Sequence, residues 1–181
     1  MLILVELPRS PFWVYFTVPN TVKLVAIDAV LRDLWLDCCG YMSAFSSRDE
    51  LYVDSPEGTL FGRKSEHSMN VSLKRATGNG PLLYQYDFGS TTTLILRVMG
   101  EKVIGLEPGI KVVARNDAPA MACTECGGVA TQLLFDDWAP RPYCDECLGN
   151  AREEDGEACT LPVVNSPRMG VCAYSGPSIE P

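Results

Sequence analysis

Two Cys-x-x-Cys pairs, Cys123 with Cys126 and Cys144 with Cys147, stand seventeen residues apart near the C-terminal end of the chain. No other feature constrains the local fold as strongly, because this spacing falls in the window of a four-cysteine zinc site. Two residues between cysteines let one tight turn aim both thiolates at a single ion, with backbone N–H groups of the turn free to donate to sulfur. Gly127 and Gly128 follow the first pair and suit that turn, since glycine accepts positive φ. Residues 129–135 read as a strand, 136–140 as a turn and 141–143 as the return to the second pair, so a zinc ribbon or a close relative is expected. Four thiolates fill a tetrahedral zinc and leave no place for water, which makes one structural ion the expected cofactor. A thioredoxin-like redox pair and a rubredoxin-like iron site are the rivals. Two pairs at metal spacing argue against the first, and Leu148 in place of a glycine after Cys147 argues against the second.

The chain of 181 residues carries eight cysteines, enough to raise the question of a secreted disulfide scaffold. The start, Met1-Leu-Ile-Leu-Val-Glu6, has no basic residue, and its apolar run stops at Glu6. That is too short for a signal peptide or a membrane span. A cytoplasmic protein binding metal in a reducing compartment, with no membrane association, is therefore expected. Charge is uneven: residues 1–119 hold 12 Lys/Arg against 13 Asp/Glu, whereas 120–181 hold 3 against 10. Four thiolates on one divalent ion add a further formal −2 to the acidic part. Phosphate backbones would be repelled there, so nucleic-acid binding by the ribbon is disfavoured, although Trp138 could stack on a base.

The remainder reads as α+β: a mostly antiparallel sheet of about six strands with one long helix, occupying 1–118, followed by the metal module in 119–181. Residues 2–7 and 12–18 make a hairpin, with Phe12, Val14, Phe16 and Val18 on one face. Thr21 is placed to cap a helix of about four turns over 22–37. Its apolar stripe holds Leu24, Ile27, Leu31 and Leu34, and Lys23, Asp28, Arg32 and Asp33 take the solvated side. Gly40 reads as the residue that ends it. Short strands follow at 41–47 and 51–54, a loop without period at 55–68, and one helical turn at 71–76. Residues 82–88 and 91–99 form a second hairpin, and 111–115 add a strand. Tyr84, Tyr86 and Phe88 share a face that could be core or ligand site, with core the default for alternating aromatics.

Residues 12–18, Leu34-Trp35-Leu36, Gly40-Tyr-Met-Ser-Ala-Phe45 and Tyr84-Gln-Tyr-Asp-Phe-Gly89 together resemble the plasmid ORF-three-like family. The family takes its name from an open reading frame of a root-inducing plasmid, and its members are also labelled passenger proteins of insertion elements. The resemblance covers residues 12–101, and residues 161–172 resemble tails of a zinc-bearing subset. Tyr41 stands where the family often has histidine, and Ser90, Thr91 and Thr92 where it has an acidic residue and a tryptophan. What the resemblance implies is a fold and an association with mobile elements; it implies no reaction.

Catalytic constellations are sparse. His67 is the only histidine and sits in a polar stretch that reads as solvated. Asp87-Phe88-Gly89 matches a kinase tripeptide in letters alone and reads as hairpin structure. Arg63-Lys64, Lys74-Arg75 and the acidic run 152–157 read as solvated surface. Cys38-Cys39 could form a redox or metal pair and Cys159 and Cys172 could supply alternative ligands, but none of the four belongs to either Cys-x-x-Cys pair, and ordinary structural thiols are the default reading for all of them. The favoured function is a non-enzymatic zinc-containing interaction protein, accessory to a mobile genetic element, that offers an acidic face to a protein partner. The alternatives are a nucleic-acid-associated protein of a mobile element binding through its first domain, and an enzyme acting on nucleotides.

Overall fold

Alternation of apolar side chains sets the first hairpin. β1 (Leu2–Glu6) and β2 (Trp13–Thr17) pair antiparallel with Ile3 opposite Phe16 and Val5 opposite Val14. All four are buried, as are Phe12 and Val18, while the intervening residues turn to the other face. The structure is a computed structural model that describes residues 1–56, 65–101, 109–135, 139–155 and 159–177.

The helix that follows is shorter than its periodicity suggests. α1 spans Leu24–Leu31 and then passes into a π-turn, Arg32–Leu36. Thr21 is not its cap: Lys23 stands at the start without a side-chain cap bond. The N–H groups of Leu24 and Val25 donate instead to the carbonyls of Val71 (3.0 Å) and Met69 (3.1 Å), so another chain segment satisfies these orphan donors. Asp28 and Arg32 are not on a solvated face either. Asp28 is buried and Arg32 half-buried, because that flank lies against the sheet and the two side chains bond each other there. The π-turn closes with the Asp37 N–H on the Arg32 carbonyl at 3.0 Å, and it brings Leu34, Trp35 and Leu36 into the core.

β3 (Ser43–Ser46), β4 (Glu50–Val53) and β5 (Ser65–Ser68) come next. α2 (Leu73–Ala76) is capped by Ser72, whose side chain accepts from the Arg75 N–H. β6 (Leu82–Tyr86), β7 (Thr92–Gly100) and β8 (Lys111–Arg115) complete an eight-stranded sheet ordered β5-β4-β3-β6-β7-β1-β2-β8. Every pairing is antiparallel except β4 with β5. The sequence points to about six strands. Part of the difference is β5, a short polar edge strand (Ser-Glu-His-Ser) that backbone bonds to β4 hold and no hydrophobic period marks. One face of the sheet, with α1 and the π-turn on it, forms the main core, in which Tyr84 and Tyr86 are fully buried.

A second sheet contains β9 (Gln132–Phe135), β10 (Pro140–Tyr143) and β11 (Cys159–Pro162), ordered β10-β9-β11 and antiparallel throughout. α3 (Asp145–Asp155) follows β10. The division at 118/119 separates the two sheets along the sequence, but the closing segment does not stay with the second one. Residues 163–177 return to the first: Ser166 Oγ donates to the Trp35 carbonyl at 2.6 Å, and Met169 packs on the main core.

Candidate metal centre

The second sheet builds the cysteine site. At the first pair the Cys123 N–H donates to the Gly128 carbonyl (2.7 Å) and the Gly127 N–H to the Cys123 carbonyl (3.0 Å), closing a tight turn. Gly127 sits at φ +72, and a Cβ on Gly128 would meet Cys126 Sγ at 3.3 Å, so glycine fits both places. The Thr124 N–H and hydroxyl both donate to the Pro142 carbonyl, at 2.9 and 3.0 Å, and thereby tie this turn to the strand that leads into Cys144.

The second pair is built differently. Cys144 directly follows β10 and Cys147 lies in the first turn of α3, where Leu148 packs inward. A glycine turn is replaced by a strand-to-helix junction, which explains why Leu148 can stand where a second knuckle would have glycine. Asp145 and Glu146 occupy the first turn, where negative charge suits the helix dipole, and Asp145 accepts from the Thr131 hydroxyl at 2.6 Å.

These elements bring the sulfurs of Cys123, Cys126, Cys144 and Cys147 within 4.8 Å of one another, close enough to hold one metal ion. Cys126 and Cys144 Sγ are 3.8 Å apart. A tetrahedral ion with metal–sulfur bonds of about 2.3 Å requires edges of about 3.8 Å, so the donor set fits. The Cys123 thiol is drawn down to about 6, first by the Cys126 N–H and then by that of Cys144. Cys147 is pushed up to about 12 by hydrogen bonds with Cys144 and Cys126. Beneath the sulfurs lie Leu134, Tyr143 and Leu148, with Ala151 packed against them. Asp136, Asp137 and Trp138, and part of the acidic run 152–157, lie outside the described residues, as do Arg63 and Lys64.

Other sequence candidates settle into structure. His67 is on β5, not in a loop; its Nε2 is 3.7 Å from Glu50 Oε1 and its ring 5.7 Å from that of Tyr52. Asp87 adopts φ +61 and accepts the N–H groups of Gly89 (3.0 Å) and Ser90 (3.2 Å), which makes Asp-Phe-Gly a turn. Lys74 pairs with Glu101 at 3.1 Å. Cys159 is exposed on β11.

Two features were not legible in the sequence. Cys38, Cys39 and Cys172 converge, their sulfurs also within 4.8 Å of one another, although 133 residues separate Cys39 from Cys172. A buried polar network joins α1 to the sheet. Asp28 accepts from Arg32 Nε (2.8 Å), the Ser43 hydroxyl (2.5 Å) and the Tyr84 hydroxyl (2.7 Å). Tyr86 donates to Asp37 at 2.9 Å, and the Arg32 guanidinium stacks 4.9 Å from its ring. Arg32 also lines a cavity of about 310 Å³ with Tyr41, Ser43, Glu66 and Phe88.

No protein-family model matches the chain, and no curated protein sequence matches it. A solved structure does. The crystal structure of a protein of unknown function from Methanosarcina mazei Go1 superposes on 63% of this chain and 67% of its own, with a TM-score of 0.51 and 15% identity. At that identity the likeness is one of fold alone. No helix among the described residues is long and apolar enough to cross a membrane.

Proposed function

We propose that the chain is a non-enzymatic, zinc-containing interaction protein of the cytoplasm, accessory to a mobile genetic element, with a first domain of the plasmid ORF-three-like type. The reading rests on the convergence of Cys123, Cys126, Cys144 and Cys147, a set of four thiols that suits one structural zinc and leaves it no open position. The zinc fixes a small module whose exposed side chains near the sulfurs include Glu125, Asp145 and Glu146, while Arg141, the only Lys or Arg in the sequence between residues 120 and 150, is half-buried and donates to the Tyr143 hydroxyl at 2.9 Å. With a formal −2 on the zinc–thiolate centre, this surface favours a basic protein partner over a phosphate backbone.

Charge reversal tests it. A variant with lysine at Asp136, Asp137, Asp145 and Glu146 keeps its zinc and loses the partner recovered with the wild-type protein from its own host. Unchanged recovery at unchanged zinc content sinks the interaction reading. Recovery of nucleic acid, weakening steeply with salt, replaces it with a mobile-element protein that binds nucleic acid through the first domain.

A further inference from the structure

We propose that Cys38, Cys39 and Cys172 form a second metal site, in which one zinc ion takes three protein thiolates and pins the C-terminal segment to the end of the π-turn. The three sulfurs lie within 4.8 Å of one another. Cys39 and Cys172 Sγ stand 3.9 Å apart, against 3.8 Å for Cys126 and Cys144 at the four-cysteine centre. Both separations match the edge of about 3.8 Å that a zinc ion with bonds of about 2.3 Å imposes on its thiolates.

Core packing does not explain the cluster. Cys39 and Cys172 are exposed and Cys38 is only half-buried, whereas a structural thiol is ordinarily among the most buried of side chains. The two chain segments are instead each held in place independently of the thiols. Asp37 Oδ1 accepts the N–H groups of Cys39 (3.1 Å) and Gly40 (2.8 Å), and Gly40 reverses the chain at φ +67. On the other side, Arg168 donates to Asp87 (3.0 Å) and to the Ser90 carbonyl (2.8 Å), fixing the segment that carries Cys172. Cys172 itself adopts φ +56, uncommon for a residue with a side chain.

The donor chemistry names the class of ion. Three sulfurs select a soft or borderline ion and exclude calcium and magnesium, which take oxygen ligands. Three protein ligands also leave a tetrahedral zinc with a fourth position for water or an added ligand, unlike the closed four-cysteine centre. Tyr41 links this position to the cavity described above: its hydroxyl is 3.7 Å from Cys172 Sγ, and it lines the cavity with Arg32 and Phe88.

Zinc content of the full-length protein, purified under reducing conditions and measured by native mass spectrometry, tests the proposal. The wild-type protein is expected to carry two zinc ions; Cys39→Ser and Cys172→Ser each carry one, and Cys159→Ser keeps two. Because Arg168 and Ser166 anchor the segment, the thermal midpoints of the single variants should stay within a few degrees of wild type. Cobalt added to a Cys126→Ser/Cys144→Ser variant should still bind one equivalent with a sulfur-to-metal charge-transfer band. A wild-type protein with a single zinc that Cys172→Ser leaves in place overturns the site. So does a mass lower by two hydrogens that reductant restores and Cys172→Ser abolishes, which would make Cys39 and Cys172 a disulfide pair. The two centres are read by different variants, so the second can fail while the first stands.

Discussion

At the scale of single residues, the most consequential contact is one that no local pattern announces. Arg168 is fully buried, and its guanidinium meets Asp87 at 3.0 Å and lies 5.2 Å from the centre of the Tyr86 ring. A buried charge that loses its partner is strongly destabilising. Asp87→Asn is the clean test, because asparagine tolerates the left-handed φ of this position. It is expected to lower the thermal midpoint at pH 7 by roughly 5–10 °C. Burial pushes the Asp87 carboxyl up, but the Ser90 N–H, the Arg168 guanidinium and the Gly89 N–H outweigh it and hold the carboxyl below the usual range. A depressed carboxyl stabilises the fold above its unfolded value of about 3.9, and that contribution is lost as pH falls through the lower folded value. The gap between wild type and variant should therefore be full at neutral pH and close below about pH 4. A gap that persists unchanged into strong acid would mean the pair is not its source. The convergence of Cys123, Cys126, Cys144 and Cys147 was legible because two Cys-x-x-Cys pairs at this spacing are what a four-sulfur site requires. Cys38, Cys39 and Cys172 were not, because only the return of the tail brings them together.

Among the elements, α1 and β6 depend on each other through Asp28. Tyr84 is buried, and both its burial and the Asp28 charge push its hydroxyl well above the usual tyrosine value, so it stays a donor at any physiological pH. Tyr84→Phe removes one of the three donors on a buried carboxylate and is expected to cost about 2 kcal/mol in urea denaturation. A cost near zero would show that Ser43 and Arg32 satisfy Asp28 without it. This network also explains why α1 is shorter than its periodicity suggests. Periodicity assigns Asp28 and Arg32 to solvent and lets α1 run on to Asp37, whereas their bonds to Ser43, Tyr84 and Asp37 turn that flank inward and the helix gives way to a π-turn. The hairpins were legible in outline because alternation is a local signal: β1, β2, β6 and β7 fall within a few residues of their expected places. β5, β11 and α3 were not: β5 is polar, β11 is only four residues (Cys-Thr-Leu-Pro), and a helix as acidic as α3 carries little hydrophobic period.

Taken whole, the molecule is two sheets on one chain whose last segment crosses back. The α+β class and the cysteine-rich module agree with the reading of the sequence, while the eight-stranded sheet and the shortened helix depart from it. The crossing is what sequence reading could least reach, because Asn165, Ser166 and Arg168 find their partners on residues as distant as Trp35. Their bonds make the tail part of the first sheet's stability, although the cysteine-rich module lies between them along the sequence.

The most direct measurement is zinc content together with module structure in wild type and in Cys126→Ser/Cys144→Ser. The expected result is one zinc fewer in the variant, loss of the near-ultraviolet signal of Tyr143 on the module, and a far-ultraviolet spectrum that still reports the large sheet. Equal zinc content in the two proteins, with the module's signal intact, would contradict a structural zinc at the four-cysteine centre.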